Sequence, residues 1–379
     1  MTMNGPAGVY IHIPFCVRKC NYCDFLSWRA GEREREEYVG SLIREIGFSE
    51  HWFPEIDRVD SVFIGGGTPS ILSAGQLQRI SEALDRRFSI QRGCEFTVEC
   101  NPGTADRHTF ASCLNMGINR ISFGVQSAEE TELRLLGRIH TYEEAERTVQ
   151  EAREAGFENI NIDLMSGIPG QSLESYERTL DRILRLEPEH ISAYSLIIEE
   201  GTPFYDRYRD DPPVDEETDR QMYRTTGERL SEYGYERYEI SNYAKDGFAC
   251  RHNLKYWSGG EYVGFGLGAS SRVGDIRYRN TEDPAEYTTR IQQEKTVADP
   301  EEILDREAQM SEFFFLGLRR TKGVSLTEFQ RLFEVSAFEV YGQQIRRLME
   351  YGLLKQQGAR LFLTEYGLDV SNMVFCEFV

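Results

Sequence analysis

The sequence predicts an α/β protein built on an incomplete, laterally open barrel of six strand–helix units. An α+β extension and a C-terminal winged-helix-like module are expected to follow. Three observations predict this. Short β-rich runs alternate with amphipathic helical runs from Gly8 to Leu196. Such alternation implies a parallel sheet. Six units are too few to close a barrel of eight.

The strands are expected at Gly8–Ile13, Ser61–Ile64, Glu95–Glu99, Arg120–Gly124, Asn159–Leu164 and His190–Leu196. Each is rich in Val, Ile, Phe or Tyr, and several end in Gly or Pro. Between them, apolar residues recur at helical spacing. The sets are Tyr38, Leu42, Ile46; Leu77, Ile80, Leu84; Ala145, Val149, Ala152; and Leu173, Tyr176, Leu180, Leu184. That is the period of helices covering a sheet. The acidic, proline-containing stretch Asp210–Asp219 reads as a surface connection, and Thr218–Tyr233 as a helix. Residues 251–280 read as loop with short strands. From Glu301, SEFFFLGL, LTEFQRLF and IRRLMEYGLL read as helices and ARLFLTEYGL as a hairpin. The expected domains are 1–215, 216–300 and 301–379.

The formal charge of −20 (43 Lys+Arg, 63 Asp+Glu) works against nucleic-acid binding, because phosphates are repelled overall. No segment has the roughly 18 uncharged apolar residues of a membrane span. The N-terminal stretch lacks a basic region and a long apolar run, so it does not read as a signal peptide, and a cytoplasmic location is expected. Eight cysteines are too sparse here for a disulfide scaffold and read as ligands or redox groups where they cluster.

They cluster once, as Cys16-x3-Cys20-x2-Cys23, just after the first strand. That is the strand end where α/β barrels place their chemistry. Three thiolates so close can wrap a [4Fe–4S] cluster and leave one iron open. The amino and carboxylate groups of S-adenosylmethionine can chelate that iron. An electron from the cluster can then break the sulfonium C–S bond and release a 5′-deoxyadenosyl radical. The alternative is zinc, which needs a fourth ligand, and no second cysteine pair follows nearby. Cys94, Cys100, Cys113 and Cys250 read as small buried hydrophobes.

Gly65-Gly66-Gly67-Thr68-Pro69 follows the second strand and either lets a ligand approach the backbone or makes a plain turn. Glu99, Gln126 and Asp163 fall at or near the ends of the third, fourth and fifth strands. They either line a pocket or cap helices and pair with arginines. A carboxylate there suits ribose hydroxyls, and Arg138 can oppose a ligand carboxylate. Gly167-Ile168-Pro169-Gly170 can pack on adenine or form a turn. His252-Asn253-Leu254-Lys255-Tyr256-Trp257 combines an imidazole with two aromatics. It reads as a haem contact or as a surface loop anchored by its aromatics.

Together YIHIPFCVRKCNYCDF, GGGTPS, ECNPG, SFGVQS, LGRIH, NIDLMSGIPGQS and CRHNLKYW resemble the oxygen-independent coproporphyrinogen III oxidase-like branch of the radical SAM superfamily. Two subgroups compete. The coproporphyrinogen dehydrogenases decarboxylate two substrate propionates, carry a further cysteine two residues after the third ligand, and have a long N-terminal extension. Here Phe25 stands at the position of that cysteine, and no such extension is expected. HNLKYW is similar to the HNxxYW signature of the HemW group, understood as haem chaperones.

The resemblance implies that Cys16, Cys20 and Cys23 bind the cluster. It implies that Tyr10, Gly66, Gly67, Thr68 and Glu99 line the S-adenosylmethionine site, with Gln126, Arg138 and Asp163 around it. It implies that His252 contacts haem. Relatives that read GAHS after this motif offer a second histidine where this chain has Ser270. Implied partners are haem, respiratory haem proteins as acceptors, and a flavodoxin or ferredoxin if the cluster is reduced. The alternative function is oxidative decarboxylation of coproporphyrinogen III to protoporphyrinogen IX.

Overall fold

The computed structural model describes residues 5–210 and 214–379. Residues 211–213 of the expected acidic connection and residues 1–4 lie outside the described residues.

Six parallel strands form the central sheet in chain order: β1 (Ala7–Ile13), β2 (Arg58–Gly66), β3 (Ser89–Cys100), β4 (Arg120–Gln126), β5 (Ile160–Ser166) and β6 (His190–Ser195). Every expected strand is present, mostly longer by a few residues. Parallel strands buried on both faces read as near-continuous apolar runs, and β4 is buried throughout. On one face Val9, Ile11, Val62, Ile64, Val98, Phe123 and Ile162 join the main core with residues of the covering helices. Those helices include α1 (Glu32–Trp52), α2 (Ala74–Arg87), Tyr142–Ala155 and Leu173–Leu184. Ser73, Thr141 and Ser172 start three of them with reciprocal capping boxes.

The opposite parity of each strand faces the barrel interior, and it is polar. Asn161 donates to Ser122 (2.7 Å) and to Asp163 (2.7 Å). His190 sits 2.6 Å from the Asn161 oxygen and 2.8 Å from the Tyr238 hydroxyl. Arg120 is 2% exposed in the same interior, held in the field of Glu95 and Asp163.

The sheet does not close. Beyond β6 lie β7 (Glu236–Arg237) and β8 (Asn242–Ala244), with β8 antiparallel to β6. Beyond β1 lie β9 (Tyr262–Phe265), parallel to β1, then the antiparallel β10 (Ser270–Val273), β11 (Ile276–Asn280) and β12 (Ala298–Ile303). The two edges that closure would join are both occupied, so the barrel stays laterally open.

HNLKYW is not a surface loop. It forms the helix Arg251–Trp257 and lies against β2 and β3. Glu95, 4% exposed in β3, accepts from the backbone N–H groups of Arg251 (2.9 Å) and His252 (2.9 Å). A carboxylate at a helix start offsets its own burial by taking orphan amides. Gly8 makes room: a side chain there would come within 3.0 Å of Lys255 and 3.2 Å of His252. A helix of seven residues is too short for periodicity to reveal, and its capping group lies far away in sequence.

The C-terminal module has its own core around Phe314, Phe329, Ile345 and Leu361. Three helices, Arg306–Gly317, Leu326–Phe333 and Ala337–Glu350, pack with a three-stranded sheet. ARLFLTEYGL is only half of the expected hairpin. Arg360–Leu363 pairs back onto Leu354–Gln357, and Glu365–Asp369 turns helical because Thr364 caps it through the Gly367 amide.

A buried carboxylate latches the extension onto the barrel. Glu45 of α1 accepts from the Gly266 amide (2.8 Å), the Asn280 amide (2.7 Å) and the Tyr287 hydroxyl (2.5 Å). Burial pushes its carboxyl up to about 7, against a usual 4.5. The folded chain therefore holds this proton more tightly than the unfolded one. The stabilisation is complete below about pH 4.5 and is lost as pH rises through about 7. Thermal unfolding should show a midpoint falling across that window, with a shallower fall in Glu45→Gln. Glu45→Ala, which orphans three buried donors, should cost roughly 3 kcal/mol in denaturant titration.

Candidate functional site

The loop after β1 carries Cys16, Cys20 and Cys23, all free and half-buried. Its base is pinched where the Cys16 amide donates to Trp28 O (2.9 Å) and the Trp28 amide to Pro14 O (2.9 Å). Its crown is tied down by Asn21, whose side chain donates to Leu135 O (2.8 Å) and whose amide donates to Leu136 O (2.9 Å). The Thr68 hydroxyl donates to the Cys16 sulfur at 3.4 Å, and Arg138 Nη1 to the Cys20 sulfur at 3.5 Å.

The glycine run has a packing reason. The Gly67 amide donates to Ile13 O (2.8 Å) and the Thr68 amide to Phe15 O (2.7 Å). A side chain at Gly67 would lie 2.6 Å from the Phe15 carbonyl oxygen. Gly66 has φ +109°, and a side chain there would meet the His12 ring at 2.5 Å. Its amide donates to Glu99 Oε2 at 3.0 Å. The amides of Gly66 and Gly67 are thus spent within the protein. The run presses the cysteine loop against the strand ends.

Glu99, at the end of β3, caps no helix. Burial pushes its carboxyl up to about 8, Asp163 adds to the rise, and Gly66 and Arg120 oppose it. Asp163 accepts from Asn161 and, at 3.4 Å, from the Ser122 hydroxyl, and burial raises it as well. It too caps no helix. Gln126 ends β4 in the left-handed region, with φ 73° at 9% exposure. A non-glycine residue held there marks a locally imposed conformation. Tyr10 bonds to His12 Nδ1 at 3.0 Å, and burial raises its phenol.

Arg138 does not stand free to meet a ligand carboxylate. Besides Cys20 it donates to Asn101 Oδ1 (2.5 Å) and to Gly124 O, while its buried Nε has no hydrogen-bond partner among the described residues. Asn101 also donates to Thr68 Oγ1 (2.8 Å) and so joins the donors of two cysteines. Sequence reasoning missed Asn101, although it lies in the quoted ECNPG. It also missed His12, which bridges Tyr10 and Leu26 O (2.9 Å) at the edge of the loop.

His252 lies apart from this mouth. It is 1% exposed, stacked on Phe63 (5.4 Å between centroids), with Ser61 Oγ 3.1 Å from Nδ1 and the Tyr256 hydroxyl 2.8 Å from Nε2. Burial pushes its imidazole down to about 3, so it is neutral. Both ring nitrogens are engaged, and Tyr256 stands in front of it. Of the motif, Tyr256 and Trp257 line a cavity of about 380 Å³ together with Tyr10, Tyr262 and Ser270.

The three clustered cysteines fit an iron–sulfur cluster. They are accessible on one tethered loop, and two of them already accept hydrogen bonds of the kind that tune such sulfurs. A fourth thiolate for zinc is not at hand. Cys94, Cys100, Cys113 and Cys250 are buried elsewhere, and Cys376 lies in the C-terminal helix Ser371–Cys376. Among the described residues no three His, Cys, Asp or Glu groups converge as ligands of a single ion.

Residues 10–183 match the radical SAM superfamily model, and residues 304–370 match that of the HemN C-terminal domain. The Heme chaperone HemW of Lactococcus lactis subsp. lactis (strain IL1403) is 37% identical over 378 residues, which cover 99% of this chain and 97% of that one. That of Bacillus subtilis (strain 168) is 36% identical, covering 98% of each. That of Escherichia coli (strain K12) is 41% identical over 71% of this chain and 70% of its own. The fold matches the coproporphyrinogen III oxidase HemN from Escherichia coli with TM-score 0.86 at 22% identity, over 98% of this chain and 90% of that one. This chain belongs to the radical SAM superfamily and, within it, to the family of the HemW haem chaperones.

Proposed function

We propose that this protein is a haem chaperone on a radical SAM scaffold, binding a [4Fe–4S] cluster, S-adenosylmethionine and haem and handing haem to respiratory haem proteins. The observation that carries this reading is the end-to-end similarity to HemW haem chaperones, which includes the segment 251–257. Phe25 supports it. It is 59% exposed at the position where the dehydrogenases carry a further cysteine. We propose domain limits of 1–215, 216–300 and 301–379 and a cytoplasmic location. Among the described residues no helix is long and apolar enough to cross a membrane.

In this reading Cys16, Cys20 and Cys23 hold the cluster, which supplies an electron and one open, Lewis-acidic iron. Thr68 and Arg138 hydrogen-bond the sulfurs of Cys16 and Cys20. Tyr10, Gly66, Gly67 and Glu99 bound the S-adenosylmethionine site, with Gln126 and Asp163 beside it. Haem is cargo, placed against the Arg251–Trp257 helix. His252 acts through the Tyr256 hydroxyl, and a direct bond to iron requires Tyr256 to leave.

A second reading is favoured by the fold match to HemN: oxidative decarboxylation of coproporphyrinogen III. An anaerobic assay of reconstituted protein separates the two. We expect no protoporphyrinogen IX, and its formation at catalytic turnover overturns the chaperone-only reading. In haem titration, His252→Ala should bind haem more weakly than wild type, and unchanged affinity removes His252 from the site.

Two further outcomes test the mouth. Gly67→Ala forces the loop off the strand ends, so the protein should stay folded by circular dichroism but lose most of its iron and its broad visible absorption. Glu99 is neutral below about pH 8 and charged above it. A ribose hydroxyl donates best to the charged form, so S-adenosylmethionine affinity should rise through that pH. Glu99→Gln should abolish the rise and weaken binding about tenfold. Calorimetry across that range checks both points.

A further inference from the structure

Two adjoining cavities lie between the Arg251–Trp257 helix, the sheet extension and the Arg306–Gly317 helix of the C-terminal module. One has a volume of about 380 Å³ and is walled by Tyr10, Tyr256, Trp257 and Tyr262, with Arg272 and Arg277 at its side. The other, about 300 Å³, runs on to Arg306, Phe313, Arg320 and Phe333. Trp257, Arg272 and Leu316 line both. Together they fall in the size range of small-molecule sites, roughly 300–1,000 Å³.

Their charge runs against that of the chain. Four arginines (Arg272, Arg277, Arg306, Arg320) face two carboxylates (Glu312, Glu328), whereas the whole chain has 63 acidic and 43 basic residues. Their walls are aromatic: Tyr256 and Tyr262 meet edge-to-face at 4.6 Å. Flat apolar walls with a cationic flank complement a planar ring that carries carboxylates.

One buried carboxylate serves both arginines nearest the aromatic walls, and the exposed Glu302 also meets Arg277 Nε at 3.7 Å. Glu312 is 5% exposed and pairs with Arg277 through Oε1 and with Arg272 through Oε2 at 3.4 Å. The sharing leaves hydrogen-bonding capacity unspent: Glu312 Oε2 and the buried Arg277 Nε have ion-pair contacts but no hydrogen-bond partner among the described residues. Two guanidiniums offer ten N–H donors between them, far more than one carboxylate can accept.

We infer that this double cavity receives a planar aromatic dicarboxylate, its ring against Tyr256, Trp257 and Tyr262 and its carboxylates on Arg272 and Arg277, which it takes over from Glu312. This rests on the haem-carrying reading and names where the tetrapyrrole sits and what it displaces. Glu312 belongs to the helix that carries Phe314 into the core of the C-terminal module. Taking its arginines weakens the ion pairs between that module and the sheet. By linkage, whatever loosens the module also frees the arginines for cargo.

The test is titration of the full-length, anaerobically reconstituted protein with haem, with metal-free protoporphyrin IX and with its dimethyl ester, followed at the porphyrin Soret band. The metal-free ligand removes iron ligation from the comparison, and the ester removes the carboxylates. Wild type should favour the diacid over the ester by at least about tenfold. Glu312→Gln should tighten diacid binding severalfold and leave the ester unchanged. The triple variant Arg272→Gln, Arg277→Gln, Glu312→Gln strands no buried charge. It should lose the preference for the diacid while still binding the ester. Wild-type diacid affinity and preference in the triple variant overturn the cavity and leave the haem reading standing. A Glu312→Gln affinity equal to wild type overturns the exchange. Failure of wild type to bind haem or porphyrin overturns both readings.

Discussion

The ends of β1 and β2 approach so closely that only glycine fits between them, and the cysteine loop hangs from that contact. Gly67 and Thr68 donate to the carbonyls of Ile13 and Phe15, one residue before Cys16. The next links follow from the same contact. Thr68 is brought to the Cys16 sulfur, Gly66 presents its amide to Glu99, and Glu99 is thereby held at the mouth beside Asp163. A side chain at Gly67 would meet backbone rather than a flexible neighbour, so the loop has no cheap way to yield.

Below that mouth the barrel interior is a stack of polar groups, most of them hydrogen-bonded, instead of the aliphatic layers of a closed barrel; Arg120 Nε and Thr97 Oγ1 have no hydrogen-bond partner among the described residues. Arg120, Asn161 and His190 form its middle, Asn161 reaching up to Asp163, and Glu95 with the Arg251–Trp257 helix seals its lower end. Burial holds His190 and His252 neutral and raises Glu99 and Asp163. Charge in this interior is therefore rationed, and each ionised group depends on a fixed neighbour.

β1 is shared by two sites. The cysteine loop leaves its C-terminal end, and the aromatic cavity opens along its side, where Tyr10 and His12 are part of the lining. The sheet extension that completes the cavity is latched to α1 by Glu45 and to the C-terminal module by Glu312. Two buried carboxylates, each on a helix and each gripping the extension, thus connect the barrel, the cavity and the module.

The six strands, their parallel pairing and the position of the cysteine loop were legible in the sequence, because parallel-strand burial and helical periodicity are local patterns. So was the gathering of Glu99, Gln126 and Asp163 at one end, which follows from strand direction alone. The glycine run was legible as a feature but not as a clamp, since its partners Ile13 and Phe15 lie on another strand end. The burial of His252, the cap from Glu95, the role of Asn101 and the occupied bonds of Arg138 were decided only by tertiary structure. Most of these contacts join residues dozens of positions or more apart, and hydrogen-bond satisfaction of buried polar groups is a property of the packed chain, which no local spacing records. The hairpin of the C-terminal module was misplaced for a local reason: its second half starts a helix at the Thr364 cap, and its first strand lies just upstream of the segment read as the hairpin. Leu354–Gln357 becomes a strand because Arg360–Leu363 is there to pair with it.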